Sequence, residues 1–331
     1  MSRDVDPPAG RPGPSRRTVL FGTAGLALGA SASACSSSGR HGSGGAGSAS
    51  SAAALPRATV WRPNGSDVRP DVKLRAVQLV EALGTWRPGG RGPAKARERT
   101  AALGLPPGLA EQAGPLLAEA DESVVQVVDA QYGGILDDTA SVLVVCRRWT
   151  RTGDGRVTPG GTTVDVRLGR ARPRWSVTAL HPAAPGPAAA SLPDPARRVL
   201  ADSRIRLPPA AEADVRGGGV HDSVLRALLE LAGTYRMDVS VLRSGHPIDV
   251  FGTDRPSDHP PGRAVDVWRI DDKAVVDGAT PRGLIESFMR DAAAAGAYNV
   301  GGPVLPAGGA PGRPYFSDDT HHDHVHIGFD R

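Results

Sequence analysis

The chain has 331 residues, of which 40% are hydrophobic, so it carries enough apolar side chains for the cores of two ordinary domains. Its net charge is +4, and the basic side chains, nearly all arginine, are spread along the chain without a basic run that alternates with aromatic residues. The composition therefore excludes a small disulfide-stabilised scaffold and argues against nucleic acid as a partner.

The first 55 residues have the pattern of a targeting signal followed by a flexible linker, and not that of a folded domain. Paired arginines, Arg16 and Arg17, precede a glycine- and alanine-rich apolar stretch that ends at Cys35. Residues 1–35 resemble a twin-arginine export signal whose cleavage site is a lipobox. This resemblance implies lipidation of Cys35 and a lipoprotein anchored on the outer face of the cell membrane, in the cell wall space. Residues 36–55, rich in glycine and serine, are typical of a flexible linker.

A first globular region is predicted at residues 56–182. Apolar residues recur at helical spacing in RPDVKLRAVQLVEAL, and LPPGLAEQAGPLLAEA predicts a second helix. Short β-branched runs separated by turn residues follow and indicate a four-stranded antiparallel meander: SVVQVVDAQY, ASVLVVCRRWT, TTVDVRL and RWSVTALHP. Cys146, inside the second run, is expected to be a buried, unreactive thiol. This α+β order resembles the NTF2-like accessory domains of exported proteins.

A second region, residues 199–331, follows a linker at residues 183–198 that is rich in proline and alanine. Two helices are predicted in it, one at HDSVLRALLELAGTYR with Asp222 or Ser223 as its cap, and one at TPRGLIESFMRDAAAAGA. Three strands are predicted between and after these helices, at MDVSVLRSG, AVDVWRI and HVHIGF. The chain is therefore expected to be α+β, with two domains.

Histidine and aspartate side chains are concentrated in two short segments of the second region, SDHPPGRAVDV and HHDHVHIGF. Alternate side chains of a strand share a face, so His324 and His326 are expected to point the same way, with Val325 turned into the core. Asp266 lies within an apolar strand, where an unpaired carboxylate is costly and a metal ion would compensate its charge. Two imidazoles and a carboxylate, here with His259, are a ligand set that zinc takes in catalytic sites.

The two segments resemble the zinc peptidases of bacterial cell walls. Five residues fit the pattern S-x-H-x-x-G-x-A-x-D, and the later pair His324 and His326 fits H-x-H; the five are Ser257, His259, Gly262, Ala264 and Asp266. This group includes the D-Ala-D-Ala carboxypeptidases and dipeptidases, the penicillin-insensitive murein endopeptidases, lysostaphin and the zinc domain of hedgehog. The resemblance begins at Arg243 and implies a zinc domain of the hedgehog and DD-peptidase type, with a central antiparallel sheet and one zinc ion per chain.

The resemblance also implies roles for the residues of these motifs. His259, Asp266 and His326 are the expected zinc ligands. His324 is the expected general base or stabiliser of the transition state. Asp323 is its rival, because the dipeptidase branch has a catalytic glutamate at that place. Neighbours on a strand face opposite ways, so both can face the zinc only if the strand begins after Asp323.

Four further residues are candidates for contacts with substrate. His321 is expected to touch the water or the substrate, and Arg243 to point at a substrate carbonyl or carboxylate. Ser257 and His246 are further candidates for substrate binding. The carboxypeptidase branch has a tyrosine where Leu242 stands and a glutamine that is missing here. Carboxypeptidase and endopeptidase activity, and D,D or L,D stereochemistry, therefore stay open.

Two functions are compatible with these patterns. One is a zinc-dependent peptidase that hydrolyses stem or cross-link peptides of peptidoglycan. The alternative is a non-catalytic lipoprotein of the cell wall with a structural or lost zinc site, whose first region binds a protein partner. The complete set of ligands and the additional histidine of the H-x-H pair favour the enzyme.

Overall fold

The computed structural model describes residues 54–307 and 314–330. The predicted export signal, Cys35 with its lipidation, and the glycine- and serine-rich linker before residue 54 lie outside the described residues. Those described residues belong to one compact unit. Within them, every helix is too short or too polar to cross a bilayer.

The first region contains the predicted helix and the predicted meander, both confirmed. Its elements are α1 (Pro70–Gly84), α2 (Pro93–Ala102), β1 (Glu122–Ile135), β2 (Thr139–Arg151), β3 (Val157–Gly169) and β4 (Ser176–Pro182). The strands pair antiparallel in the order β1-β2-β3-β4. The second predicted helix is wrong: it forms two short 3-10 segments, because Gly114 and Pro115 interrupt the stretch. Helix α2 was not predicted.

The core of the first region lies between α1 and the meander. The apolar face of α1 is fully buried there, as its periodicity predicts: Val72, Ala76, Leu79, Val80 and Leu83. Cys146 on β2 is also fully buried, which confirms that expectation. Burial raises the pKa of its thiol to about 11, so the thiol stays protonated at neutral pH.

The second region is built on a mixed sheet. Its elements are α3 (Asp194–Ala201), β5 (Ile205–Arg206), α4 (Pro209–Arg216), α5 (Asp222–Ala232), β6 (Met237–Val241), β7 (Ala264–Ile270), β8 (Lys273–Ala274), α6 (Arg282–Ala294), β9 (Asn299–Gly301), β10 (Tyr315–Phe316) and β11 (Val325–Gly328). The strand order is β10-β9-β11-β7-β6-β5, and β8 pairs with β7. The centre is antiparallel as expected, but the pairs β5–β6 and β9–β10 are parallel.

Two boundaries of the second region differ from the sequence predictions. Helix α3 begins at Asp194, inside the stretch interpreted as a linker. Helix α5 begins at Asp222, so Asp222 and Ser223 lie inside the helix and His221 is its N-cap. The imidazole of His221 accepts the Ser223 N–H, the task that serine or aspartate oxygens usually perform.

The two regions pack directly against each other. Leu143 and Val145 of β2 form a small buried cluster with Val241 of β6. At the end of β1, a Cβ on Gly134 would lie 2.1 Å from the Cβ of Phe251. Glycine at this position therefore allows the strand to approach the loop between β6 and β7, which carries part of the candidate site.

Candidate metal centre

The register of the central strands places two of the predicted ligands side by side. Strands β7 and β11 are antiparallel neighbours, and His326 lies directly opposite Asp266. Val325 is fully buried in the core on the other face, as the alternation predicts. His324 immediately precedes β11, which begins at Val325. The sheet itself therefore positions His326 and Asp266.

The third predicted ligand, His259, comes from the loop between β6 and β7. Gly262 has a φ of +75°, and a Cβ there would lie 2.0 Å from the carbonyl oxygen of Gly219. The motif therefore needs glycine at this position, because any side chain would push the loop away. Ser257 supports the same loop, since its Oγ accepts the N–H of His259 at 3.3 Å.

Three buried ligand atoms converge at the centre of the site. His259 Nε2 lies 3.2 Å from His326 Nδ1 and 3.2 Å from Asp266 Oδ1, and the last two atoms are 3.0 Å apart. Ligands held tetrahedrally at zinc–nitrogen distances lie about 3.3 Å from each other. The exposed fraction of the three residues is 8% or less. The donor set and its spacing therefore fit a zinc-sized cation.

The charges around these atoms also favour the binding of a cation. His259 Nδ1 lies 2.9 Å from the carbonyl oxygen of Leu242, to which we assign its proton, so Nε2 presents a lone pair. Burial alone would raise the pKa of Asp266, but positive charge on His259, and then on His324, holds it well below its usual value, so the carboxylate is charged. When Nε2 of His259 carries no proton, its lone pair and this carboxylate repel each other, and a cation bound between them would supply the positive charge in place of that proton.

His246 belongs to the same centre. Its ring stacks on that of His259 with centroids 3.9 Å apart. His246, His259 and Asp266 together form a group that could hold a metal ion, with ligand atoms within 4.8 Å of one another. Burial, and then His259, lower the pKa of His246 well below its usual value, so the ring is neutral. The structure thus brings His246 and the neighbouring Ser257 to the site, where substrate binding was predicted.

His324 stands beside the ligands with a carboxylate behind it. Its Nδ1 lies 2.6 Å from Asp323 Oδ1, and its Nε2 lies 3.7 Å from Asp266 Oδ1. Burial alone would lower the pKa of His324, but Asp266 and Asp323 outweigh burial and raise it. Asp323 Oδ2 contacts Lys73 Nζ at 2.6 Å and accepts the N–H of Tyr132 at 3.1 Å. Asp323 therefore supports His324 from behind.

His321 forms another part of the wall of the site. Its ring centroid is 5.2 Å from that of His324 and 5.6 Å from that of His326. Its Nδ1 lies 2.7 Å from Asp318 Oδ1, which orients the ring. The structure therefore brings His321 to the position that the sequence predicts, next to both histidines of the H-x-H pair.

A cavity of about 770 Å³ opens above these side chains and has walls from both regions. The end of β1, from Tyr132 to Ile135, and the following Leu136 line one side, and loops of the second region line the other. Arg243 is placed differently from its prediction: it stands behind the loop, where its Nε donates to the carbonyl oxygen of Pro260 at 3.1 Å. The described residues that line the cavity include an arginine, Arg255, for which the sequence predicted no role.

Sequence reasoning also missed Lys73 and Gln131, both from the first region. Lys73 is 1% exposed and Gln131 is fully buried. A signal for Lys73 was present, because it directly follows Val72 and lies three residues before Ala76 on the buried side of a periodic helix. A charged residue at such a position needs a buried partner, and Lys73 has two: Asp67 of the first region and Asp323 of the second.

The carboxylate of Asp129 on β1, a half-buried residue, gives a testable dependence of stability on pH. Its Oδ2 is buried without a hydrogen-bond partner among the described residues. Burial, and then the charge of Asp323, raise the pKa of Asp129 from 3.8 to about 7. Between these values the folded chain binds a proton that the unfolded chain lacks, so stability falls as pH rises from about 4 to about 7.

Asp129→Asn is expected to remove this loss and to stabilise the chain at pH 8 by about 4 kcal/mol, with little effect at pH 4, since the side chain is then neutral. Urea unfolding at a series of pH values measures the difference. Asp137→Asn, on a fully exposed side chain just after β1, is the matched control. Parallel stability curves for Asp129→Asn and the wild type would contradict the prediction.

The chain was also compared with known proteins. No family model matches it, and neither the curated proteins nor the solved structures include a match. The basis for a function is therefore the site itself: its side chains, their spacing and the motifs that carry them.

Proposed function

We propose that the chain is a zinc-dependent peptidase that hydrolyses peptide bonds in the stem or cross-link peptides of peptidoglycan, outside the cell membrane. The main support is the convergence of His259, Asp266 and His326 within 3.2 Å of one another, with His324 beside them. The substrate class rests on the motif resemblance. On the same basis we propose the hedgehog and DD-peptidase type of zinc domain for residues 199–331, while an NTF2-like first region stays a prediction.

The three converging residues would hold the metal ion. When bound there, zinc polarises a carbonyl group and lowers the pKa of water from 15.7 to about 7. His259 and His326 line the cavity, so the centre is accessible from the side where a peptide would enter. Asp266, which is 1% exposed, completes the set from below.

The protein's own proton carrier in this proposal is His324. Because Asp323 Oδ1 accepts the Nδ1 proton, Nε2 is the atom that takes a proton from the attacking water and returns one to the leaving amine. Asp323 is engaged on both oxygens, which argues against the alternative that it is the base itself. His321 and His246 flank the reacting groups and are positioned to contact the peptide.

The cavity favours an endopeptidase over a carboxypeptidase. A volume of about 770 Å³ accommodates several residues of a peptide. Arg243, the expected anchor for a terminal carboxylate, is turned to the Pro260 carbonyl behind the loop. A substrate can therefore extend on both sides of the scissile bond. Among the described residues that line the cavity, Arg255 is an exposed cationic side chain that could contact an acidic group of a stem peptide.

The test uses the zinc-loaded chain and two purified muropeptides, a cross-linked dimer and a monomer that ends in D-Ala-D-Ala. We expect mass spectrometry to show conversion of the dimer to monomers, faster than release of terminal alanine from the monomer. A chelator should stop the reaction, and added zinc should restore it. A folded chain that holds one zinc ion and cleaves neither substrate would overturn the enzyme proposal in favour of a non-catalytic wall-associated lipoprotein.

A further inference from the structure

We propose that the first region holds the side chains of the metal centre in place, and that Lys73 of α1 and Gln131 of β1 are its positioning residues. Lys73 positions His324 through Asp323, and Gln131 positions Asp266. This inference rests on the proposed function and extends it, because the motif resemblance begins only at Arg243 and assigns nothing to the first region.

Lys73 is held in a closed ion-pair network. Its Nζ contacts Asp67 Oδ1 and lies 2.6 Å from Asp323 Oδ2, and its side chain is 2% exposed. The ammonium also lies 5.1 Å from the centroid of the Tyr132 ring. Burial alone would lower the pKa of Lys73, but Asp323 and Asp67 raise it, so the side chain is charged at neutral pH.

The effect of this charge reaches His324 through one carboxylate. Lys73 and the N–H of Tyr132 both bind Asp323 Oδ2. Oδ1 is therefore left for His324 Nδ1, 2.6 Å away. With Nδ1 held by Asp323, Nε2 is the nitrogen that faces the ligands, 3.7 Å from Asp266 Oδ1. The ammonium group of Lys73 thus determines which oxygen of Asp323 binds His324. Through that contact it determines that Nε2, and not Nδ1, of His324 faces the metal ligands.

Gln131 acts on the ligand in the same way. Its Nε2 donates to Asp266 Oδ2 at 2.6 Å, and its Oε1 accepts the hydroxyl proton of Ser240. The Ser240 hydroxyl also lies 3.2 Å from the backbone oxygen of Asp266. Because Oδ2 is bound, Oδ1 is the oxygen that faces His259 and His326. Such partners of ligands typically contribute about 10–100-fold to metal affinity.

Stability alone does not explain these polar groups. Close by, Leu143, Val145 and Val241 make an apolar contact between the regions. Removing two opposite charges from water costs several kcal/mol each, and apolar residues of similar volume often stabilise a fold as well or better. A lysine, two aspartates and a glutamine that are all buried beside the metal centre are therefore better explained by the geometry that they impose on it.

The role of Gln131 is tested by measuring zinc affinity, an experiment that does not require the chain to be catalytically active. In the full chain, Gln131→Met keeps the side-chain length and removes the donor. We expect its zinc Kd, measured by competition with a chromogenic chelator, to rise about 10–100-fold. Gln126→Met, at a half-buried position on the same strand whose amide donates to Thr59, is the control and should leave Kd unchanged. Wild-type affinity in folded Gln131→Met would overturn this assignment.

The role of Lys73 is tested by measuring kcat and zinc affinity separately in the same variants. Lys73→Met is expected to lower kcat about 10²-fold with zinc affinity and KM nearly unchanged, and Lys73→Arg to recover part of the loss. Lys95→Met, the same substitution at a half-exposed lysine of α2, should behave as wild type. If Lys73→Met does not fold, the double variant Asp67→Asn/Lys73→Met removes both charges. Wild-type kcat in either folded variant would overturn the role of Lys73.

A signal independent of catalysis separates this inference from the proposed function. The His324 Nδ1 proton, shared with Asp323, is expected to give a downfield proton resonance in the NMR spectrum of the wild type. We expect Lys73→Met to shift or remove it and Lys95→Met to leave it in place. A chain that lacks hydrolysis but shows these changes would contradict the proposed function alone, whereas an unchanged resonance would contradict the positioning role.

Discussion

Replacing His259 or Asp266 by alanine is expected to abolish zinc binding by a chain that keeps its fold. Each side chain supplies one of three converging atoms, 3.0–3.2 Å apart and at most 8% exposed. A full zinc site contributes about 10–16 kcal/mol, so one ligand accounts for about 3–4 kcal/mol, or on the order of 10³-fold in affinity. The measurement is zinc per chain in the purified protein, with folding checked by circular dichroism.

His181→Ala is the matched control for this experiment, because His181 is an exposed histidine of β4 in the first region. The wild type and this control are expected to hold one zinc ion per chain. A folded wild type that takes up no zinc even when it is supplied would end the peptidase proposal. Zinc retained at full stoichiometry and affinity in His259→Ala would instead show that another side chain, such as the stacked His246, holds the ion.

The second large effect is expected for His324→Ala, which should retain zinc and lose hydrolysis by about 10²–10⁴-fold in kcat. His324 Nε2 is near the ligands but is farther from Asp266 Oδ1, at 3.7 Å, than the atoms of His259 and His326 are. Removal of the imidazole therefore takes away a proton carrier and leaves the three ligands in place. The measurement is turnover of the cross-linked muropeptide beside zinc content.

Asp323→Asn separates the two candidates for the base. If Asp323 only orients His324, the asparagine variant keeps an acceptor oxygen for Nδ1 and loses less activity than His324→Ala. If Asp323 is the base, the order reverses, and His324→Ala would turn over substrate almost as well as the wild type. The relative kcat of these two variants thus decides the assignment, provided both hold zinc.

Local periodicity accounts for the elements that were predicted correctly. Helix α1 and the four strands of the first region carry patterns with periods of 3.6 and 2 over many residues, and these patterns survive packing. Helix α2 was missed because only Ala96 and Thr100 of its residues are buried, so it shows little apolar pattern. Strands of two or three residues, such as β5, β8, β9 and β10, are too short to show a period.

The candidate ligands were predictable for a related reason. His259, Gly262 and Asp266 lie within ten residues of one strand and its preceding loop, so their spacing alone restricts where they can point. The shared direction of His324 and His326 could be predicted because alternate side chains of a strand point to the same face, and Val325 between them is buried in the core. The direction of Arg243 depends instead on how the loop after β6 folds back on Pro260, which no local period encodes.

The sequence by itself determined the α+β class, the main helices and strands, and a set of histidines and an aspartate that could hold a metal ion. Only the tertiary structure brings Lys73 and Gln131 into contact with the residues of that site. Their partners, Asp323 and Asp266, are far away along the chain: Asp266 follows Gln131 by 135 positions. Contacts over such distances arise from the packing of one sheet on another, where burial forces every charge and amide to find a partner.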